Sequence, residues 1–189
     1  MNDEFGVNTQ LKLLPSQLAY LKGYIENLQT LAGRPDLGQP VIEQHVEESL
    51  EPILQLQGSD SAAFRLAVAA ASGGATRNPQ TSFVIVGAIT TSPLIREDSR
   101  QIVASLLGTA NTLRSTEVHE TDITQRLVEA SSEALGVIRT SADYGNPSTR
   151  AAELTVLSFF AGVTLRNEHF EAMQQLMDFA RSLVPTAAV

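Results

Sequence analysis

The chain has 189 residues, with 13 Lys plus Arg against 21 Asp plus Glu, three His and no Cys. That length suits one domain of ordinary size around one sizeable core, and the lack of Cys excludes disulfides, a thiolate nucleophile and zinc sites built on sulfur. A net charge of -8, with 5% aromatic residues and no Trp, argues against a broad basic face for nucleic acid and against base stacking on exposed rings.

Residues 1–10 are polar and acidic, unlike the basic start and apolar run of a signal peptide, and no run of about 18 apolar residues occurs anywhere. The expectation is a chain neither exported by that route nor inserted in a membrane. From Pro15 to Gly33, Leu18, Leu21, Ile25, Leu28 and Leu31 recur at helical spacing, with Pro15 at the start and Gly33 and Pro35 at the end. A second helix is predicted from Pro40 on Val41, Ile42, Val46, Leu50, Ile53 and Leu54, with Pro52 bending or ending it. Asp60 to Ala71 is Ala-rich and reads as a short helix that Ser72-Gly73-Gly74 breaks. Phe83 to Ile89 is a short β-branched apolar run between Pro79 and Pro93, which predicts a strand or extended segment near 81–90.

A helix follows from about Pro93 to Leu113, with Ile102, Val103, Leu106, Leu107 and Ala110 on its apolar face and Glu97 and Asp98 in its first turns. After a polar connection from Arg114 to Thr121, another is predicted from about Asp122 to Ile138. The turn-forming run Thr140 to Pro147 reads as an exposed loop. The most apolar helix spans about Ser148 to Leu165, and Asn167 is placed to cap a last one through about Leu183. No repeat or long heptad pattern is present. The fold expected is mostly α: one domain, a four-helix bundle with additional short helices and a small extended segment, its core about 15–183 and residues 1–10 and 185–189 as peripheral tails.

Enzyme chemistry finds no support in the residues. His45, His119 and His169 lack the spacing that aims two ligands at one metal, and no phosphate loop, dinucleotide fingerprint or Gly-x-Ser-x-Gly is present. No catalytic, cofactor or metal residue is therefore proposed. The acidic stretch Glu117, Glu120, Asp122, Glu129, Glu133 reads first as solvated charge. Its other reading is a set of carboxylates that repel across subunit contacts, making assembly sensitive to pH and calcium. Eleven Arg stand against only Lys12 and Lys22. Guanidinium groups hold phosphate or carboxylate through two bonds where ammonium groups do not, although each Arg alone is more often a salt-bridge partner. A few of them suffice to bind RNA where many copies line up along one strand.

Several segments, in order, resemble the coat proteins of rod-shaped plant RNA viruses of the tobamovirus and benyvirus type. Pro15 to Leu21 is similar to the start of the first helix of tobamovirus coats. Arg77-Asn78-Pro79-Gln80-Thr81-Ser82-Phe83 resembles the family's Arg-Phe-Pro motif and the extended segment after it, with Asn78 in place of Phe. Ile102 to Gly108, then Arg114 and Glu117-Val118, look like the third helix and the Arg-bearing turn beyond it. Arg166 to Glu171, with Leu176 and Phe179, resembles the closing motif, which includes Phe170 and Glu171. The matches are collinear over about 15–179.

The resemblance implies a structural capsid protein that assembles helically with copies of itself around single-stranded RNA, without base specificity. It implies a location in the virion, and in the host cytoplasm during assembly. It places RNA contacts at Arg114 and in the segment containing Gln125, Arg126, Val128 and Glu129, with Gln125 where the family often has another Arg. It also puts Glu117 and Glu120 near the family's inner, mutually repelling carboxylates. The alternative from the residues alone is an acidic helical adaptor or regulatory protein that acts through protein–protein contacts.

Overall fold

Seventeen residues from Pro147 to Val163 form a helix that is buried almost all round, and the rest of the architecture follows from the need to enclose it. A helix with so little surface left to solvent must be walled in by its neighbours, its polar groups included. In the computed structural model, which describes residues 11–34, 38–115, 120–166 and 170–185, it is the seventh of eight α-helices. In chain order these are α1 (Pro15–Ala32), α2 (Gly38–Leu54), α3 (Ala62–Ala75), α4 (Pro79–Thr90), α5 (Glu97–Arg114), α6 (Glu120–Arg139), α7 (Pro147–Val163) and α8 (Phe170–Ser182). Two short 3-10 turns, Ser59–Ser61 and Thr164–Arg166, complete the regular structure. The fold is all-α, with no strand among the described residues.

The central pair is α3 and α7. All but one residue of α3 is buried, and the two helices make the most extensive contact in the molecule. Their approach is set by glycine. A Cβ on Gly74 would overlap the carbonyl oxygen of Phe159, and one on Gly162 would overlap that of Ala71, so these backbones touch directly. Gly73-Gly74 therefore does not break α3. It lies inside the helix because the crossing admits nothing larger, and the close packing offsets the about 1 kcal/mol per residue by which Gly is a poorer helix former than Ala. The remaining helices wrap this pair, with α1, α2 and α4 against α3 and α5, α6 and α8 against α7.

Helix ends follow local chemistry. The amide of Leu14 donates to Gln17 Oε1 at 2.9 Å as α1 begins at Pro15. Asn146 accepts from the Thr149 amide at 2.8 Å and Pro147 takes the first position of α7, so the turn-forming run ends where expected. Pro52 lies in the last turn of α2, which stops two residues later.

The segment expected to be extended near 81–90 is helical. Asn78 Oδ1 accepts from the Gln80 amide at 2.9 Å and Pro79 follows it, so that proline starts a helix. Thr81, Ser82, Ile85 and Ile89 are the buried residues, a helical and not an alternating spacing. β-Branching costs only a few tenths of a kcal/mol per residue in a helix, and burying Ile85 and Ile89 outweighs it.

Candidate functional site

Arg114 ends α5, where the resemblance expects an RNA contact. Its guanidinium turns inward. Nη2 donates to the Gly73 carbonyl at 2.5 Å and Nη1 to Ser82 Oγ at 3.4 Å, and the group lies 6.0 Å from the centre of the Phe159 ring. Ser82 Oγ in turn donates to Asn111 Oδ1 at 2.6 Å. Burial pushes the Arg114 guanidinium down to about 9, helped by the nearby charge of Arg77 and opposed by Glu43. It remains a cation at neutral pH.

Arg77, expected as part of the family motif, meets the same helix end. Its Nη1 donates to the Gly74 and Thr76 carbonyls, each at 3.2 Å. Two cations thus face the last carbonyls of α3, where the helix leaves acceptors unfilled and its dipole favours positive charge. Glu43 of α2 closes the cluster, accepting from the Arg77 amide and from Thr76 Oγ1 at 2.5 Å each and from Gln39 Nε2 at 2.6 Å. The cluster ties α2, α4 and α5 to the end of α3. Glu43 was hidden from sequence reading inside an acidic run.

The same use of guanidinium recurs. Arg65 donates to the Leu56 carbonyl at 2.6 Å and Arg100 to that of Ile95 at 3.1 Å. Much of the excess of Arg over Lys is therefore spent on backbone carbonyls, for which a planar five-donor fork is suited. Arg139 Nε donates to Glu153 Oε1 at 3.1 Å. Glu153, only 3% exposed, is an acid inside a helix buried almost all round; a lone acid in a mostly apolar run was the available signal for it.

On α6, Gln125, Arg126 and Glu129 are exposed and Val128 is half-buried against the core. Gln125 Nε2 donates to Glu129 Oε1 at 3.4 Å. Arg114 and Arg126 are thus placed differently, one folded into the interior and one open to solvent. Glu117 lies outside the described residues, as do the side chains of Glu120, Arg166 and Phe170; Glu171 is exposed in the first turn of α8. Among the described residues no group of three or more His, Asp or Glu could hold a metal ion, and no helix is long and apolar enough to cross a membrane. His45 stacks on Tyr24 with ring centres 5.6 Å apart. The Tyr24 hydroxyl bonds Ser72 Oγ at 2.7 Å, and Ser72 donates to the Val68 carbonyl. Burial raises the Tyr24 phenol above its ordinary range, against the smaller lowering effect of Ser72.

The other feature missed from sequence is the outer face of α4. Phe83 is 79% exposed and Val84 53%, while Gly87 on the same stripe has open space around it. From Asn78 to Ile95 the chain carries no ionisable residue. Reading the run as a strand concealed this face, because helical spacing is what brings Phe83, Val84 and Gly87 together. Comparison with protein-family models, curated proteins and solved structures gave no match.

Proposed function

We propose that this chain is an assembly protein, and specifically a coat subunit that stacks with copies of itself around single-stranded RNA. The observation that carries the reading is the outer face of α4, a helix without charge that holds Phe83 almost fully in solvent. Contiguous exposed apolar surface marks a place for association. In a chain with a net charge of -8, an uncharged face is also where identical copies approach with least repulsion.

In this reading α1 and α5 stand where the coat family has its first and third helices, and the strand passes the turn between α5 and α6. Arg126 makes the phosphate contact. Arg114 is a positioning residue that fixes the end of α5, because its donors are engaged with Gly73 and Ser82. Glu117 and Glu120 supply the repelling carboxylates, so mild acid favours assembly.

The second reading is an adaptor that offers the same α4 face to a different protein. It is favoured by the inward turn of Arg114, which removes one of two candidate RNA contacts from the surface. Electron microscopy and sedimentation of concentrated protein from pH 5 to 8, with and without single-stranded RNA, separate the two. Discs or rods, more abundant at low pH and protecting the RNA from nuclease, are the expected result. A monomer under all these conditions overturns the coat reading and leaves the adaptor.

A further inference from the structure

The α4 face is a protrusion, and the same molecule carries a recess of matching chemistry elsewhere. Between α5 and α6 lies an open groove of about 330 Å³. Ile102, Leu106, Ala130, Ala134 and Val137 line its apolar part, three uncharged polar residues including Thr109 lie beside them, and Glu133 is its one ionisable residue. Val137 is 49% exposed, and Leu106 is a buried core residue. An apolar cavity of about 150 Å³ is enough to hold a benzene ring, so the groove has room for a phenyl side chain and part of a neighbouring residue.

We propose that Phe83 of one copy inserts into the α5–α6 groove of the next, joining subunits head to tail. This rests on the self-association reading and names its surfaces. Three observations select a second copy as occupant. The groove accepts a ring, and Phe83 is the most exposed of the large apolar and aromatic side chains among the described residues, with Val84 beside it. The inserting helix has no acid to oppose Glu133, and exposed Gln80 lies on the same stripe as Phe83 with an amide able to donate to a carboxylate. Chains of like net charge meet here over a groove lined by a single ionisable side chain and a helix that carries none, which limits the desolvation cost that charged surfaces impose.

Protrusion and recess are different patches, so a copy that fills its neighbour's groove still has its own groove open. Such a heterologous contact repeats without limit unless rotation closes it into a ring. That is the geometry of stacked discs or rods, and it differs from a twofold pairing of α4 with α4.

Light scattering coupled to size exclusion tests this on the full chain over a range of concentrations. The mass of the unaltered protein rises with concentration without a plateau at two chains. Phe83→Ala, which keeps the groove, and Val137→Glu, which keeps the ring, each run as monomers of 20.3 kDa. Both sites are solvent-facing; circular dichroism and melting temperature unchanged from the parent confirm folding, and Thr109→Glu serves as a second groove variant. The decisive sample is an equal mixture of the Phe83→Ala and Val137→Glu proteins. Each can make one half of the contact, so the mixture forms a species of two chains and nothing larger.

If the parent stops at a closed dimer that survives Val137→Glu, head-to-tail insertion is wrong while self-association stands. If the parent is a monomer at every concentration, the self-association reading falls as well. An assembly that persists in Phe83→Ala also overturns the proposal.

Discussion

Gly74 and Gly87 are separated by one turn region in sequence and by opposite physics in the fold. At Gly74 an added methyl group would collide with the backbone of α7, whereas at Gly87 it would meet nothing within 4 Å. The first belongs to the α3–α7 crossing, where small residues let two helices touch, and the second to an outer face that none of the described residues covers. Small residues in a helix therefore carry no single meaning. Their role depends on whether another backbone lies opposite, and here one region uses them for cohesion and the other leaves them open for association.

The largest test of this contrast is Gly162→Ala or Gly74→Ala. Each methyl group must push two backbones apart, and overpacking against backbone leaves no flexible side chain to yield, so a loss of about 3 kcal/mol or more is expected in chemical denaturation. An unchanged midpoint for either variant would mean that the crossing is looser than described. Arg114→Ala is next. It strips the Gly73 carbonyl and Ser82 of a donor, which costs about 1–3 kcal/mol for a buried acceptor left unfilled. Thermal melts should show it, and Arg114→Lys should not fully restore stability, since a point charge cannot reproduce the fork.

Tyr24→Phe removes the bond to Ser72 and costs about 1 kcal/mol. It also changes alkaline behaviour. Because the folded phenol titrates above its unfolded counterpart, its stabilising effect is intact below about pH 10 and is lost as pH rises further. The parent should therefore lose stability above pH 10 more steeply than Tyr24→Phe in melts recorded at successive pH values; parallel slopes would contradict the burial of that hydroxyl.

On the open face the sign reverses. Gly87→Ala should stabilise the fold by up to about 1 kcal/mol, because Ala favours the helix and the added methyl group has room. A loss of stability there would show that the face is covered. The smallest effect on folding belongs to Arg126→Ala, exposed on α6, whose melting temperature should match the parent. Its RNA affinity should fall evenly across sequences, and the slope of log affinity against log salt should shrink by about one. No change in RNA retention on filters over a salt series would remove Arg126 from the interface.

Most of the helical architecture was legible in the sequence, since α1, α2, α5, α6, α7 and α8 announce themselves through apolar spacing, flanking prolines and turn formers. Those signals are local, and a helix of 13–20 residues repeats its pattern often enough to be read without its neighbours. The segment that became α7 was read as the most apolar helix, and it is buried almost all round.

Tertiary structure alone decided three matters. Phe83 to Ile89 is too short to distinguish strand from helix by composition, and burial of Ile85 and Ile89 against the core settles it as helix. Gly73-Gly74 carries the composition of a break, and only the backbone of α7 lying opposite makes it the middle of a contact. Arg114 has the chemistry to hold a phosphate or to fill a helix end, and a carbonyl 41 residues away claims its donors. In each case the deciding partner is remote in the chain, so its energy enters only once the chain has folded.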